Sequence, residues 1–176
     1  DGTPYFVSLL DGNMYRIDPG SMKFCSTSSN SVGTGAVISN AGSVSVQAND
    51  FALKCEYLPV GEFGLFFYGS APTYLPLGGG FRCVGGPKLF RLDVLVSDQA
   101  GIVFYPMDNT ALANLGTILP GSLWQFQYWY RDKNGLAGNN LSEGRQGTPA
   151  RPRPPAPPKT CALTVNPPPT HPHPTP

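Results

Sequence analysis

The sequence predicts an all-β protein: an antiparallel β-sandwich or jelly-roll-like body followed by a proline-rich polyproline II tail. Three observations carry that reading. Glycine and proline supply 21 and 20 of the 176 residues, and both disfavour the interior of a helix. No stretch of three turns shows an apolar stripe at i, i+3, i+4 and i+7 behind a capping box. Short runs of period-two alternation recur instead at intervals of about ten residues, separated by Gly, Pro, Asn and Asp.

Residues 1–20 read as an N-terminal hairpin or a donated strand. Tyr5, Phe6, Val7, Leu9 and Leu10 make a ribbon that is apolar on both faces, followed by Asp11-Gly12, a two-residue hairpin signal, and by Met14 to Asp18. Such a ribbon is an aggregation hazard at an exposed edge and needs cover. It is either a central strand of its own sandwich or a strand added to a neighbouring molecule. Head-to-tail addition whose rotation does not close a ring builds a filament.

Residues 21–146 read as the sandwich. Val44 and Val46 alternate with serines in Gly42 to Gln47. Phe51, Leu53, Cys55 and Tyr57 share one side of the next run. Phe63 to Gly69 and Gly101 to Tyr105 are apolar on both sides. Between them, Phe90, Leu92, Val94 and Val96 stand opposite Arg91 and Asp93. Trp124, Phe126, Tyr128 and Tyr130 oppose Leu123, Gln125, Gln127 and Trp129, the pattern of a half-buried strand. A body of about 125 residues is long enough for one such core.

Residues 147–176 are a different material. They hold 12 of the 20 prolines, and Arg151, Arg153 and Lys159 with no acid, a net of +3; residues 1–146 carry 9 basic and 11 acidic side chains, a net of −2. Proline tracts fix φ, lack amide donors and extend as polyproline II. Inside the tail, residues 160–165 form a short strand signal, with Cys161, Leu163 and Val165 on one side.

The four cysteines Cys25, Cys55, Cys83 and Cys161 are widely spaced, with no close pair of the kind that zinc or thioredoxin-like motifs use. Even number, wide spacing and low charge, 13% of residues, point to disulfides and an oxidising compartment. Four buried free thiols are the alternative. Three connectivities are open. The chain begins at Asp1 and reads as a processed, mature chain, and no run approaches the roughly 20 apolar residues of a membrane span.

Both histidines, His171 and His173, lie in the tail, so the body has no imidazole for nucleophilic triads or His-ligated zinc. The acids Asp11, Asp18, Asp50, Asp98 and Asp132 stand in turn-like contexts. Arg131-Asp132 reads as an ion pair at a sheet end. Gly78-Gly79-Gly80 and Gly85-Gly86 precede strands rather than helices, so positive φ explains them better than phosphate binding. A slightly acidic body argues against nucleic acid. The expectation is therefore no enzyme, no metal and no cofactor. Trp129, Tyr74 and Tyr105 are candidates for stacking on sugars, although aromatics in a sandwich are more often core. Asn140 heads the sequon Asn140-Leu141-Ser142, and Thr148, Thr160, Thr164, Thr170 and Thr175 resemble O-glycosylated stalk composition.

One series of motifs resembles a known family. Asn30-Ser31, Gly35-Ala36, Leu58-Pro59, Phe63-Gly64-Leu65-Phe66-Phe67-Tyr68-Gly69, Gly80-Phe81-Arg82-Cys83-Val84-Gly85-Gly86 and the run Trp124 to Asp132 resemble a secreted β-rich domain. That domain recurs in large extracellular proteins of planctomycetes and similar environmental bacteria. The resemblance covers roughly residues 25–142 and implies location and fold, not catalysis. It implies a Cys25–Cys83 pair, leaving Cys55 and Cys161 as a second. It also implies a closing strand after Asn139-Asn140-Leu141-Ser142. Here Glu143 to Gln146 run straight into proline, so that strand is expected to be absent or displaced, its position vacant for a donated segment.

The function expected from all this is an extracellular or cell-surface structural subunit that self-assembles with identical subunits into a filament by strand addition. The proline-rich tail would act as a spacer or glycan-bearing coat. The alternative is a secreted carbohydrate-binding or adhesion module with a polysaccharide partner.

Overall fold

The computed structural model describes residues 5–7, 14–16, 21–42, 49–108 and 122–147. Among them every regular element is a strand: β1 (Tyr5–Val7), β2 (Met14–Arg16), β3 (Ser21–Cys25), β4 (Val37–Ala41), β5 (Ala52–Glu56), β6 (Phe63–Gly69), β7 (Ala71–Leu77), β8 (Gly80–Gly85), β9 (Phe90–Val96), β10 (Val103–Pro106), β11 (Trp124–Asp132), β12 (Gly138–Leu141) and β13 (Gly144–Gly147). All pairings are antiparallel. The all-β, sandwich reading holds.

The large sheet runs β3-β13-β11-β6-β9, with β12 also on β11; the small sheet runs β10-β5-β4. Their facing sides form the core, Ile38, Leu53, Cys55 and Val103 from the small sheet against Phe66, Tyr68, Leu92, Phe126, Tyr128 and Tyr130 from the large one. The aromatics stack across strand pairs: Phe66 and Tyr128 are opposite neighbours with ring centres 4.6 Å apart, and Tyr68 and Phe126 follow at 5.5 Å. Cross-strand aromatic pairs of this kind fix register as well as adding burial.

The hairpin β7–β8 covers part of the large sheet's other face, around Phe67, Val84 and Leu141. That third layer explains why β6 is apolar on both sides: Phe66 and Tyr68 enter the sandwich, while Leu65 and Phe67 pack under the hairpin. Leu77 pairs with Gly80, so the hairpin turns on Gly78-Gly79, with Gly78 at φ 61°. The left-handed backbone there favours glycine, and a Cβ at Gly78 would run into the Asn139 side chain.

Several expectations change. The polar side of β11 is not solvated: Gln125 and Gln127 are 1% and 0% exposed. Gln127 accepts from the Cys83 backbone N–H and donates to the Phe81 and Ser142 carbonyls, which ties β11 to β8 and to the segment after β12. The closing strand is present. β12 pairs with Trp129–Asp132 and β13 with Trp124–Phe126, so the two share one flank of β11. At the break between them, Ser142 Oγ accepts from the Tyr128 N–H while the Ser142 N–H donates to the Tyr128 carbonyl, replacing the missing ladder. The position is therefore filled by the chain itself, not left vacant. In β5, Leu53 and Cys55 face inward as expected, but the strand ends at Glu56; Tyr57, at φ 61°, turns out to 60% exposure and Leu58 is buried in its place.

β1 and β2 form a two-stranded sheet of their own, with Val7 opposite Met14. The Asp11-Gly12 turn lies outside the described residues. Leu9, Leu10, the 43–47 run and the whole tail from Thr148, with Thr160, Cys161, Leu163, Thr164, Val165, Thr170 and Thr175, lie outside the described residues.

Candidate functional site

β9 is an edge of the large sheet and, at seven residues, as long as the longest hairpin strand. Among the described strands it pairs with β6 alone. Leu65 stands opposite Val94 and Phe67 opposite Arg91, so β9 carries one extra residue between these pairs. That bulge shifts the phase of the strand. Phe90 and Leu92 point into the core, then Leu95 takes over the inward side, while Val94 and Val96 turn out at 62% and 52% exposure. Continuous alternation had placed all four on one buried face. Phe63, the cross-strand neighbour of Val96, is 49% exposed. Among the described residues, the result is an unpaired main-chain edge flanked by three large exposed apolar side chains, an arrangement that natural sheets usually block.

On the same outer face as Leu65, a groove of about 300 Å³ lies between the sheet and the β7–β8 hairpin, walled by Leu65, Phe67, Leu77, Leu89 and Trp129, with Arg82 and Arg91 beside them. Together, the edge and the groove offer main-chain hydrogen bonding and side-chain pockets, the two requirements of an added strand.

The disulfide joins Cys25 to Cys83, Cα atoms 6.2 Å apart, and so staples the opposite edge strand β3 to the hairpin. Cys55 is a free thiol with no exposure, opposed across the small sheet by Ile38 and Val103. Burial pushes its ionisation well above the ordinary thiol value. Its implied partner Cys161 is outside the described residues.

Asn140, the sequon asparagine, is turned into the fold. It is 2% exposed in β12, its Nδ2 donates to the Ser29 carbonyl and its Oδ1 accepts from the Leu141 N–H. Asp132 does not pair with Arg131. The two alternate across the strand, and Asp132 Oδ2 accepts from the Ser31 N–H at 3.0 Å. Of the aromatic sugar-stacking candidates, Tyr74 lies flat on Phe81 at 4.4 Å, Tyr105 donates to Asp93, and Trp129 is half-buried with its indole N–H on Asn139 Oδ1. The structure does not bring the three together.

No helix among the described residues is long and apolar enough to cross a membrane. No family model, curated protein or solved structure matches the chain.

Proposed function

We propose that the chain is an extracellular structural subunit that polymerises by strand addition at β9, with the N-terminal ribbon of the next copy as donor. The observation that supports the reading is the β9 edge itself, unpaired among the described residues and flanked by exposed Val94, Val96 and Phe63. The donor is available: β1 belongs to neither body sheet, and an isolated two-stranded hairpin is marginal in water. Covering the three apolar side chains at about 25 cal/mol per Å² contributes several kcal/mol before the cost of ordering the donor. The Cys25–Cys83 disulfide supports an oxidising location. The tail is a spacer, with its threonines as O-glycan acceptors.

The test is electron microscopy and light scattering of the full chain beside the double variant Val94→Lys/Val96→Lys. The native chain forms regular polymers, and the variant stays monomeric with an unchanged thermal midpoint because both positions face water. Undiminished polymers from the variant reject the β9 edge; a native chain that is monomeric at every concentration rejects assembly.

A further inference from the structure

A second region, independent of the filament reading, holds a different chemistry. Where β11 ends, the Lys133–Ala137 turn, the Ser29–Ser31 segment and the Gly79 turn of the β7–β8 hairpin enclose a pocket of about 230 Å³. That is well above the share of one water, ~30 Å³, and below the roughly 300–1,000 Å³ of drug-sized sites. Most of its lining residues carry polar side chains, including Ser29, Ser31, Asp132, Asn134 and Asn139, with Leu136 and two glycines completing it.

Asp132 decides what the pocket wants. The residue is 1% exposed; Oδ2 is satisfied by the Ser31 N–H, but Oδ1 is buried with no hydrogen-bond partner. A desolvated carboxylate oxygen without a donor is costly to keep. Gly135 makes room for it, since a Cβ there would stand 2.6 Å from the Asp132 carboxyl carbon. A donor from a ligand completes the arrangement.

A calcium-like ion is a poor match. Such ions take six to eight oxygens, and Asp132 is the one carboxylate among the described lining residues. Three of the amide oxygens nearby are already engaged: Asn30, Asn139 and Asn140 Oδ1 accept from Val32 N, Trp129 Nε1 and Leu141 N. A sugar hydroxyl matches better. It donates to Asp132 Oδ1, while ring and hydroxyl oxygens accept from the serine hydroxyls and the Asn134 amide. Leu136 is the most exposed of the large apolar side chains described, at the rim, where the C–H face of a ring can cover it. The carboxylate disfavours acidic sugars.

We propose that this pocket binds one neutral hexopyranose unit through Asp132 Oδ1. The test is calorimetric titration of the full chain with glucose, galactose, mannose and N-acetylglucosamine, in chelator and in calcium chloride, for the native protein, Asp132→Asn and Leu136→Ala. At least one sugar binds in chelator. Asp132→Asn weakens it by about tenfold or more while the unliganded thermal midpoint holds or rises, because a buried unpaired charge is gone; a merely structural aspartate would lower the midpoint. Leu136→Ala, at an exposed position that folding does not need, weakens binding severalfold and serves alone if Asp132→Asn fails to fold. Absence of binding by all four sugars, native affinity in either folded variant, or heat from calcium alone overturns the proposal.

Discussion

Tyr68, Tyr128 and Tyr130 are fully or nearly fully buried in the sandwich, and their phenols sit in surroundings poor in water. Tyr130 Oη accepts from Asn30 Nδ2, whereas Tyr128 Oη has no partner. Desolvation raises all three above the ordinary phenol value of 10.0, Tyr68 to about 12. The thiol of Cys55 is raised from 9.0 by the same cause. Groups that hold their protons longer folded than unfolded contribute stability in full below the unfolded value and lose it as pH climbs. The urea midpoint should therefore be insensitive to these groups below pH 9, fall once the unfolded Cys55 thiol ionises, and fall more steeply from pH 10 as the unfolded phenols ionise, the Tyr68 share continuing toward about 12. Cys55→Ala should remove the first part of the decline and keep the second. A midpoint level from pH 8 to about 11 would contradict both. The inward placing of Tyr128 and Tyr130 is legible in the alternation of β11. The burial of Gln127 is not, because its reason is a hairpin whose Phe81 and Cys83 backbone groups it satisfies from across the sheet.

At the scale of the element, legibility followed local pattern. β5, β6 and β11 announce themselves by alternation or by apolar residues on both sides. β7 does not, because Pro72 and Pro76 interrupt it; prolines survive in a strand that pairs on one flank only, as β7 does with β8. β12 and β13 are Asn, Gly, Arg and Gln with a single leucine, and β11 imposes their pairing. The outward turn of Val94 and Val96 depends on a bulge, which a strict period of two cannot express. The element that depends most on covalent help is the β7–β8 hairpin, whose outer strand is mostly exposed. Its staple closes a loop with a separation of 58 residues, for which chain entropy gives about 4 kcal/mol. Cys25→Ser/Cys83→Ser should lower the unfolding free energy in urea by about that amount. The Tyr68–Phe126 and Phe66–Tyr128 stacks lie in the other layer, so the near-ultraviolet signal of the variant should stay native. A loss below about 1 kcal/mol would mean that the hairpin is held by packing alone.

For the molecule as a whole, the pocket beside Asp132 was beyond the reach of sequence because three separated stretches, 29–31, 79 and 132–140, meet only in the fold. Charge and proline alone suggest a division into body and ends. The structure sharpens it at one point: the body reaches at least to Gly147, because β13 supplies the link between β11 and β3 and cannot be cut away. β1 and β2 add no strand to either body sheet. Among the described side chains, both cores, the aromatic sandwich and the cluster under the hairpin, are built from residues between Phe24 and Leu141. A chain of residues 21–147 should therefore fold with a thermal midpoint within about 4 °C of the full chain. Restoring residues 1–20 should restore polymers; restoring the tail alone should not, since the proposed donor is the N-terminal ribbon. If the tail restores them instead, the 160–165 segment is the donor. If residues 21–147 unfold or aggregate, the ends stabilise the body rather than join it to its neighbours, and strand exchange between subunits is wrong.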